Sequence, residues 1–548
     1  MYSRHWRRSN APSLEPPLRE TRKTRRPAEE AHLTLVRVTI LGAVVAMAGC
    51  VVHTPPPPAS SPAAAPTNPT SNRAVLRLQR NLARLFSDAS APAAIWGVQV
   101  RSPDRDETLY SLNHRTLLIP ASTTKLVTLA AAASSLGWDF RFETQLLADG
   151  SVNDGVLDGD LVVKGTGDPT IGGRGMSADC NPVDLFTEWA KTIKAAGIRR
   201  ISGRVVGDDR AIDDGATWPG SRLGDGWTWN DLAFGFAAPS GALTFHENVA
   251  DLIIEPSTAA QRPAIARIEQ PESGLDLVSY VVTGPTDSDV VLRLLRLPGQ
   301  STLELRGSIP LGSDPLRRQV SVDDPTLFFL RTLRQTLIRE GIEVDGDAID
   351  IDDVDLGTAT EPRETGYVLS RHLSPPLSEL AIDMMKRSQN LFAETIFRTL
   401  GSQTGAGTVE ASRNTIGTLL SAWAIGSNQF IIADGSGLSR YNHLTPAALV
   451  AVLEQMRSDN QSAVFEATLP VAGRDGTLAA RMGGTAAAGN ARAKTGTMSN
   501  VSTLAGLVDT EDGETLVFAI MANNYRAGSN DINRIIDRAV EQLASFTR

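Results

Sequence analysis

Residues 117–137 read LLIPASTTKLVTLAAAASSLG. Pro120 and Ser122 are helix-start signals and Gly137 is a stop signal. The helix predicted between them is apolar nearly all round, the pattern of an element buried in a core rather than laid on a surface. It opens on Ser122-Thr123-Thr124-Lys125, and the i,i+3 spacing puts a hydroxyl and an amine on one face. A helix N-terminus also offers backbone N–H groups to a developing oxyanion. For Lys125 to act as a base near neutrality it must lose about 3 units from an ordinary pKa near 10.4, roughly 4 kcal/mol, which desolvation in an apolar environment can supply.

Lysine usage sharpens this reading. Of 53 basic residues, seven are lysine: Lys23, Lys125, Lys164, Lys191, Lys194, Lys386 and Lys494. Arginine cannot be deprotonated in a protein whereas a buried lysine can, so each retained lysine invites a chemical reason. S-x-x-K alone is a common chance match, but two further motifs follow it. Lys494-Thr495-Gly496-Thr497 lies in the predicted strand NARAKTGTM, where Thr495 and Thr497 share a face and Gly496 permits close backbone approach. Ser388-Gln389-Asn390 falls at a helical break between Met385 and Leu391. Ser111-Leu112-Asn113 precedes the S-x-x-K motif, and Ser458-Asp459-Asn460 ends an amphipathic helix, so neither competes. There is no G-x-S-x-G, H-E-x-x-H or G-x-x-x-x-G-K. The seven histidines (His5, His32, His53, His114, His246, His372 and His443) are scattered, which leaves any nucleophile with a base other than histidine.

Outward from these motifs the chain divides by composition. AVLRLQRNLARLF (74–86) has helical spacing, and IWGVQVRS and ETLYSLN read as a hairpin. From 144 to 365 short strand-like runs alternate with Gly, Pro and Asp, with one clear helix at 325–341. Helices return from Leu380. The C-terminus shows three period-two segments and a closing helix. A helix–hairpin start and a three-strand–helix finish predict one antiparallel sheet built from both chain ends. The expected organisation is a catalytic body over 73–143 and 366–548, interrupted by a β-rich insertion at 144–365 made of two nested subdomains.

The 548 residues carry a formal charge of −9, against the basic footprint of a nucleic-acid binder. Cys50 and Cys180 are too few for a disulfide scaffold or a cysteine zinc site. Residues 1–49 hold nine basic and four acidic side chains, leaving the remainder near −14. Val38–Gly49 is apolar but, at about twelve residues, far short of the roughly 20 that span a bilayer. A basic start, a short apolar run and small residues before Cys50 describe an export signal over 1–49. The Ala-Gly-Cys ending resembles a bacterial lipobox, with Met47 where leucine is usual, and implies lipidation of Cys50; an ordinary signal peptide is the alternative. TPPPPASSPAAAPTNPT (54–70) lies within a tether assigned to 50–72, and its 17 residues could extend about 50 Å. Cys180 reads as a small loop or packing residue.

The order S-x-x-K, S-x-N, K-T-G is the signature of penicillin-recognising serine acyltransferases. Together with GTGDPTI (165–171), WTWNDLAFGFAAPSGALTFHEN (227–248), DGSGLSR (434–440) and LPVAGRDGTLAARM (469–482), it makes the chain resemble D-alanyl-D-alanine carboxypeptidases/endopeptidases of the penicillin-binding protein 4 type. MMKRSQNLFAE also resembles the family's S-x-N segment, with Gln389 as a departure at the middle position. The resemblance runs from about Leu76 to the C-terminus. It implies an α+β penicillin-recognising serine transpeptidase/β-lactamase-like fold, an antiparallel sheet flanked by helices. It implies a serine D-Ala-D-Ala carboxypeptidase or D,D-endopeptidase that acts on peptidoglycan peptides and cross-links and is acylated by β-lactams, with no metal or organic cofactor.

By the same resemblance Ser122 attacks, Lys125 takes its proton, Ser388 and Lys494 relay a proton to the leaving amine, and Asn390 orients the substrate amide. Thr495, Gly496 and Thr497 form the substrate strand, and the N–H groups of Ser122 and Thr497 form the oxyanion hole. Asp434 and Ser436 are candidates to line the site, although Asp-Gly-Ser-Gly is also an ordinary turn sequence. Trp227 and Trp229 are read either as core or as a saccharide platform, and PSGALTFHEN as packing between insertion and body. Two rival functions stand beside this one: a serine β-lactamase or esterase on the same fold, and a non-catalytic wall-binding lipoprotein. The expected location is the periplasm, on a lipid anchor, with Val51 in place of Asp after Cys50 favouring the outer membrane.

Overall fold

Alternation along three C-terminal strands decides the architecture. In Thr515–Asn523 the side chains of Val517, Ala519 and Met521 enter one buried cluster, while Leu516, Phe518, Ile520 and Ala522 enter another. Strand Val501–Asp509 divides likewise, Ala505 and Leu507 against Leu504 and Val508. A strand apolar on both faces must be covered on both, and here helices lie on each side. The computed structural model describes residues 69–87, 93–173, 181–213, 223–354, 366–403 and 407–548, all within one compact unit spanning 66–548.

The central sheet has five antiparallel strands in the order Arg492–Met498, Val501–Asp509, Thr515–Asn523, Ile95–Ser102 and Glu107–Leu112. Both chain ends meet at its centre, where Ile95 pairs with Asn523 and Arg101 with Val517. On one face pack the N-terminal helix Pro69–Phe86 and the last helix Ser529–Ala544. On the other lie Thr124–Leu136, Leu377–Lys386, Asn390–Ser402, Pro446–Ser458 and Ser462–Thr468. The helix starting at Thr124 is central to that layer, with nine consecutive residues, Thr124 to Ala132, buried.

Between these parts, strands from Glu143–Asn153 to Tyr367–Leu373 form a seven-stranded mixed sheet. Two three-stranded sheets built from Val249–Ser321 share a separate core around Leu252, Ile254, Leu303 and Leu305. Among the described residues this region holds two α-helices rather than the one that the sequence predicts. Beside Pro325–Arg339 lies Asp184–Ala195, which buries Phe186, Trp189, Ala190 and Ile193 at i, i+3, i+4 and i+7. Its helical period is short and framed by glycine- and proline-rich sequence, which hides it.

The proposed signal, Cys50, all but the last two residues of the 54–70 stretch, and Cys180 lie outside the described residues. Among the described residues no helix is long and apolar enough to cross a membrane.

Candidate active site

Ser122 sits in a 3₁₀ turn, Ala121–Thr123, that runs into helix Thr124–Leu136. Ala121 has φ 48°, a left-handed value uncommon outside glycine, Asn and Asp. The turn is stitched to its surroundings. The Thr123 and Thr124 hydroxyls donate to the carbonyls of Pro120 and Ala121 at 2.7 and 2.9 Å. Thr503 on the neighbouring strand also donates to Pro120 O at 2.8 Å. Asn523 brackets Ile119, accepting from its N–H at 2.8 Å and donating to its carbonyl at 3.1 Å. Ser122 remains partly open while everything beneath it is buried.

Lys125 is wholly buried, and Nζ has three neighbours: Ser122 Oγ at 3.1 Å, Asn390 Oδ1 at 2.7 Å and the Ser436 carbonyl at 2.7 Å. Two of the three are carbonyl oxygens, which can only accept. A neutral amine has two N–H bonds for those two acceptors, so its lone pair faces the Ser122 hydroxyl. Burial lowers the Lys125 pKa to about 7, the nearby carboxylates of Asp434 and Glu394 opposing the shift. Lys494 is also wholly buried, and its pKa lies well below the ordinary lysine value because of that burial and the positive charge of Lys125. Its Nζ donates to Ser388 Oγ and to the Thr495 carbonyl, each at 2.9 Å.

Ser388 stands between helices Leu377–Lys386 and Asn390–Ser402 with φ 60°. Asn390, the first residue of the second helix, uses both ends of its amide: Oδ1 accepts from Lys125, and Nδ2 donates to Phe236 O at 2.8 Å. The Lys-Thr-Gly segment lies on the edge strand Arg492–Met498. A methyl group on Gly496 would stand 2.7 Å from Pro120 O and 2.9 Å from the Ser122 nitrogen, so this strand passes directly against the turn that carries Ser122. Thr495 donates to Thr477 Oγ1 at 2.7 Å, and Thr497 is exposed at the strand's open end.

Asp434 and Ser436 reach this cluster in unequal ways. The Asp434 carboxylate is buried and ties its own loop together. It accepts from Gly437 N at 2.7 Å, Ser439 N at 2.6 Å, Asn442 Nδ2 at 2.6 Å and Trp227 Nε1 at 2.9 Å. Ser436 contributes its carbonyl to Lys125, while its hydroxyl accepts from Leu438 N at 3.2 Å. Trp227 is half-buried and donates to the loop behind Lys125, whereas Trp229 is 58% exposed.

Three participants escape the motifs. Glu394, one helical turn beyond Asn390, accepts from Gly435 N at 3.3 Å and Ser436 N at 2.7 Å, and so helps hold the carbonyl that faces Lys125. Burial and the adjacent Asp434 charge push its pKa up. A lone acid among the apolar positions of NLFAETIF is its sequence signal. Thr477 lies in the GRDGTL stretch beside the Lys-Thr-Gly strand. The Phe236 carbonyl acts through the main chain, which side-chain identity does not announce.

The chain as a whole has recognisable counterparts. The chain matches the D-Ala-D-Ala carboxypeptidase 3 (S13) family over residues 78–545. It is 32% identical over 513 residues to the D-alanyl-D-alanine carboxypeptidase of Actinomadura sp. strain R39, covering 91% of this chain and 87% of that protein. It is 28% identical to D-alanyl-D-alanine carboxypeptidase DacB of Haemophilus influenzae, covering 79% of this chain and 86% of the relative. The crystal structure of penicillin binding protein 4 (DacB) from Haemophilus influenzae aligns with a TM-score of 0.74 at 25% identity, over 85% of this chain and all of that one. With nearly the whole folded body matched in sequence and in backbone, the chain belongs to the D-Ala-D-Ala carboxypeptidase 3 (S13) family.

Proposed function

We propose that Ser122 is the acylated nucleophile of a serine-type D-Ala-D-Ala carboxypeptidase and that Lys125 is the base that activates it. The enzyme class follows from family membership. The assignment to Ser122 rests on one observation: Lys125 Nζ, 3.1 Å from the hydroxyl, has its other near partners restricted to the acceptors Asn390 Oδ1 and Ser436 O.

In this reading Ser122 Oγ attacks the carbonyl carbon of the penultimate D-Ala and its proton passes to Lys125 Nζ. The N–H groups of Ser122 and Thr497 receive the oxyanion. Cleavage of the C–N bond releases D-Ala, whose amine takes a proton delivered through Ser388 and Lys494. Asn390 aligns the substrate amide, and Thr495 and Thr497 with the Lys494 charge hold the terminal carboxylate. Water then adds to the ester carbonyl and the shortened peptide leaves. The same steps cut a cross-link when the leaving amine belongs to a neighbouring stem, which makes D,D-endopeptidase activity part of the proposal. The catalytic body is assigned to 73–143 and 366–548, with 144–365 inserted. A signal over 1–49 and lipid on Cys50 would place the enzyme in the periplasm on a membrane anchor, the outer membrane favoured by Val51.

Mass spectrometry after incubation with benzylpenicillin tests the mechanism. One long-lived adduct on Ser122 is expected, absent from Ser122→Ala. Folded protein without an adduct overturns the nucleophile assignment, and rapid release of hydrolysed drug assigns the chain to the β-lactamase reading. Digestion of cross-linked muropeptides then separates free D-Ala release from cleavage to monomers.

A further inference from the structure

His246, Glu247 and Asn248 are three consecutive non-glycine residues with φ of 54°, 56° and 53°. Such backbone is strained for residues other than glycine and persists where its surroundings over-determine it. The turn is buried and braced: Asn248 accepts from Phe245 N at 3.1 Å and donates to Pro239 O at 2.8 Å, and His246 Nδ1 lies 3.0 Å from Val249 O. What this turn presents is the Glu247 carboxylate, 2% exposed. Arg387 Nη1 and Nη2 donate to its two oxygens at 3.0 Å each, a fork-on-fork pair. Gln389 Nε2 donates to Oε2 at 2.6 Å.

Arg387 and Gln389 are the residues immediately before and after Ser388, which is itself left-handed at φ 60°. One carboxylate thus grips both flanks of a strained serine whose Oγ lies 2.9 Å from Lys494 Nζ. Gln389 also accepts from Leu391 N at 3.1 Å, which ties the same grip to the start of the helix bearing Asn390.

We propose that Glu247 is a positioning residue that holds Ser388 in its relay geometry by clamping Arg387 and Gln389, and that its effect on acyl transfer passes through the Ser388 hydroxyl. This rests on the reading of Ser388 as a proton relay. It gives Gln389 a function: the amide supplies the donor that a carboxylate at that position would lack. A staple that merely fastened the 227–248 segment to the body would alter stability, but its effect on rate would not depend on whether position 388 carries a hydroxyl.

The test is a cycle on the full chain, reading the rate of Ser122 acylation by benzylpenicillin. Glu247→Gln keeps shape and removes the charge, and misplacing a catalytic group by about 1 Å costs on the order of 100-fold, so a loss approaching that size is expected. In a Ser388→Ala background the same change is expected to alter the rate by less than about twofold, because effects that share one route are not additive. Equal losses in both backgrounds, or no loss from Glu247→Gln, overturn the proposal. If Glu247→Gln does not fold, Arg387→Ala and Gln389→Ala each release one arm of the clamp and are read in the same two backgrounds by the same criterion. Wild-type acylation by Ser388→Ala itself would remove the relay reading and this inference with it, whereas intact relay behaviour with additive losses removes the inference alone.

Discussion

At the residue scale the chemistry turns on one amine. Lys125 would carry a full charge in water at neutral pH, and burial among apolar helices is what brings its pKa down to about 7. A folded-state pKa about 3.5 units below 10.5 corresponds to roughly 5 kcal/mol withheld from the charged form. The sign fixes the pH profile. If neutral Lys125 is the base, kcat/KM for D-Ala release rises as pH climbs through about 7 and levels off above it. A profile flat from pH 5 to 9 would remove Lys125 from that role. Lys125→Arg substitutes a cation that cannot be deprotonated, and loss of general-base catalysis costs about 10²–10⁴-fold. A folded Lys125→Arg with ordinary acylation would count equally against it. Glu394 and Asp434 oppose the downward shift, while the charge of Lys125 adds to burial in lowering the Lys494 pKa. Glu394 is itself pushed up to about 7 and is only partly ionised where the limb falls, so Glu394→Gln should move the acid limb to lower pH by less than about one unit. An unmoved limb in a folded variant would show that Glu394 acts on Lys125 through loop geometry rather than charge.

At the scale of elements, the site depends on a strand lying tight against a turn. Gly496 has no room for a side chain: a Cβ would meet Thr503 Oγ1 at 2.3 Å, Pro120 O at 2.7 Å and Ser122 N at 2.9 Å. Gly496→Ala must push the edge strand away from the nucleophile turn, and a shift near 1 Å is expected to cut benzylpenicillin acylation about 100-fold. Near-native acylation would mean that the strand's approach is not part of the site. This contact explains what the sequence could disclose. Period-two alternation announced the strand, start and stop signals at Pro120, Ser122 and Gly137 announced the element after Ser122, and Gly496 marked a close approach without saying to what. Ser388 was legible as a break between helical segments, but the clamp on its neighbours was not, because Glu247 precedes Arg387 by 140 positions. Glu394 stayed hidden for a related reason: its partners are the main-chain N–H groups of Gly435 and Ser436, and backbone groups leave no mark in residue identity. The hydrogen bond from Trp227 was not legible either, since an indole N–H can serve a buried carboxylate as well as pack in a core.

At the scale of the molecule, the sheet's centre strand, Thr515–Asn523, and its neighbour Ile95–Ser102 lie far apart in sequence, so the fold cannot close until both are present. The N-terminal helix completes that closure. Val75, Leu78, Leu82 and Phe86 are 1–7% exposed and share a cluster with Ile532, Ile536 and Leu543 of the last helix; Phe86 also lies 5.1 Å from the Trp96 ring. At about 2 kcal/mol for each of the four large side chains, their burial contributes about 8 kcal/mol, comparable with the 5–15 kcal/mol net stability of ordinary domains. The helix is therefore structural, whereas 1–49 is proposed as signal and 50–72 as tether. Two truncations separate these roles. A chain beginning at residue 66 is expected to melt cooperatively and acylate with benzylpenicillin at the full-length rate. A chain beginning at residue 88 keeps every catalytic side chain yet loses that apolar contact, and it is expected to show no cooperative melt and no adduct. A shorter chain that melts within a few degrees of the longer one would mean that the last helix and the sheet close the fold unaided, and would reduce the N-terminal helix to a cover.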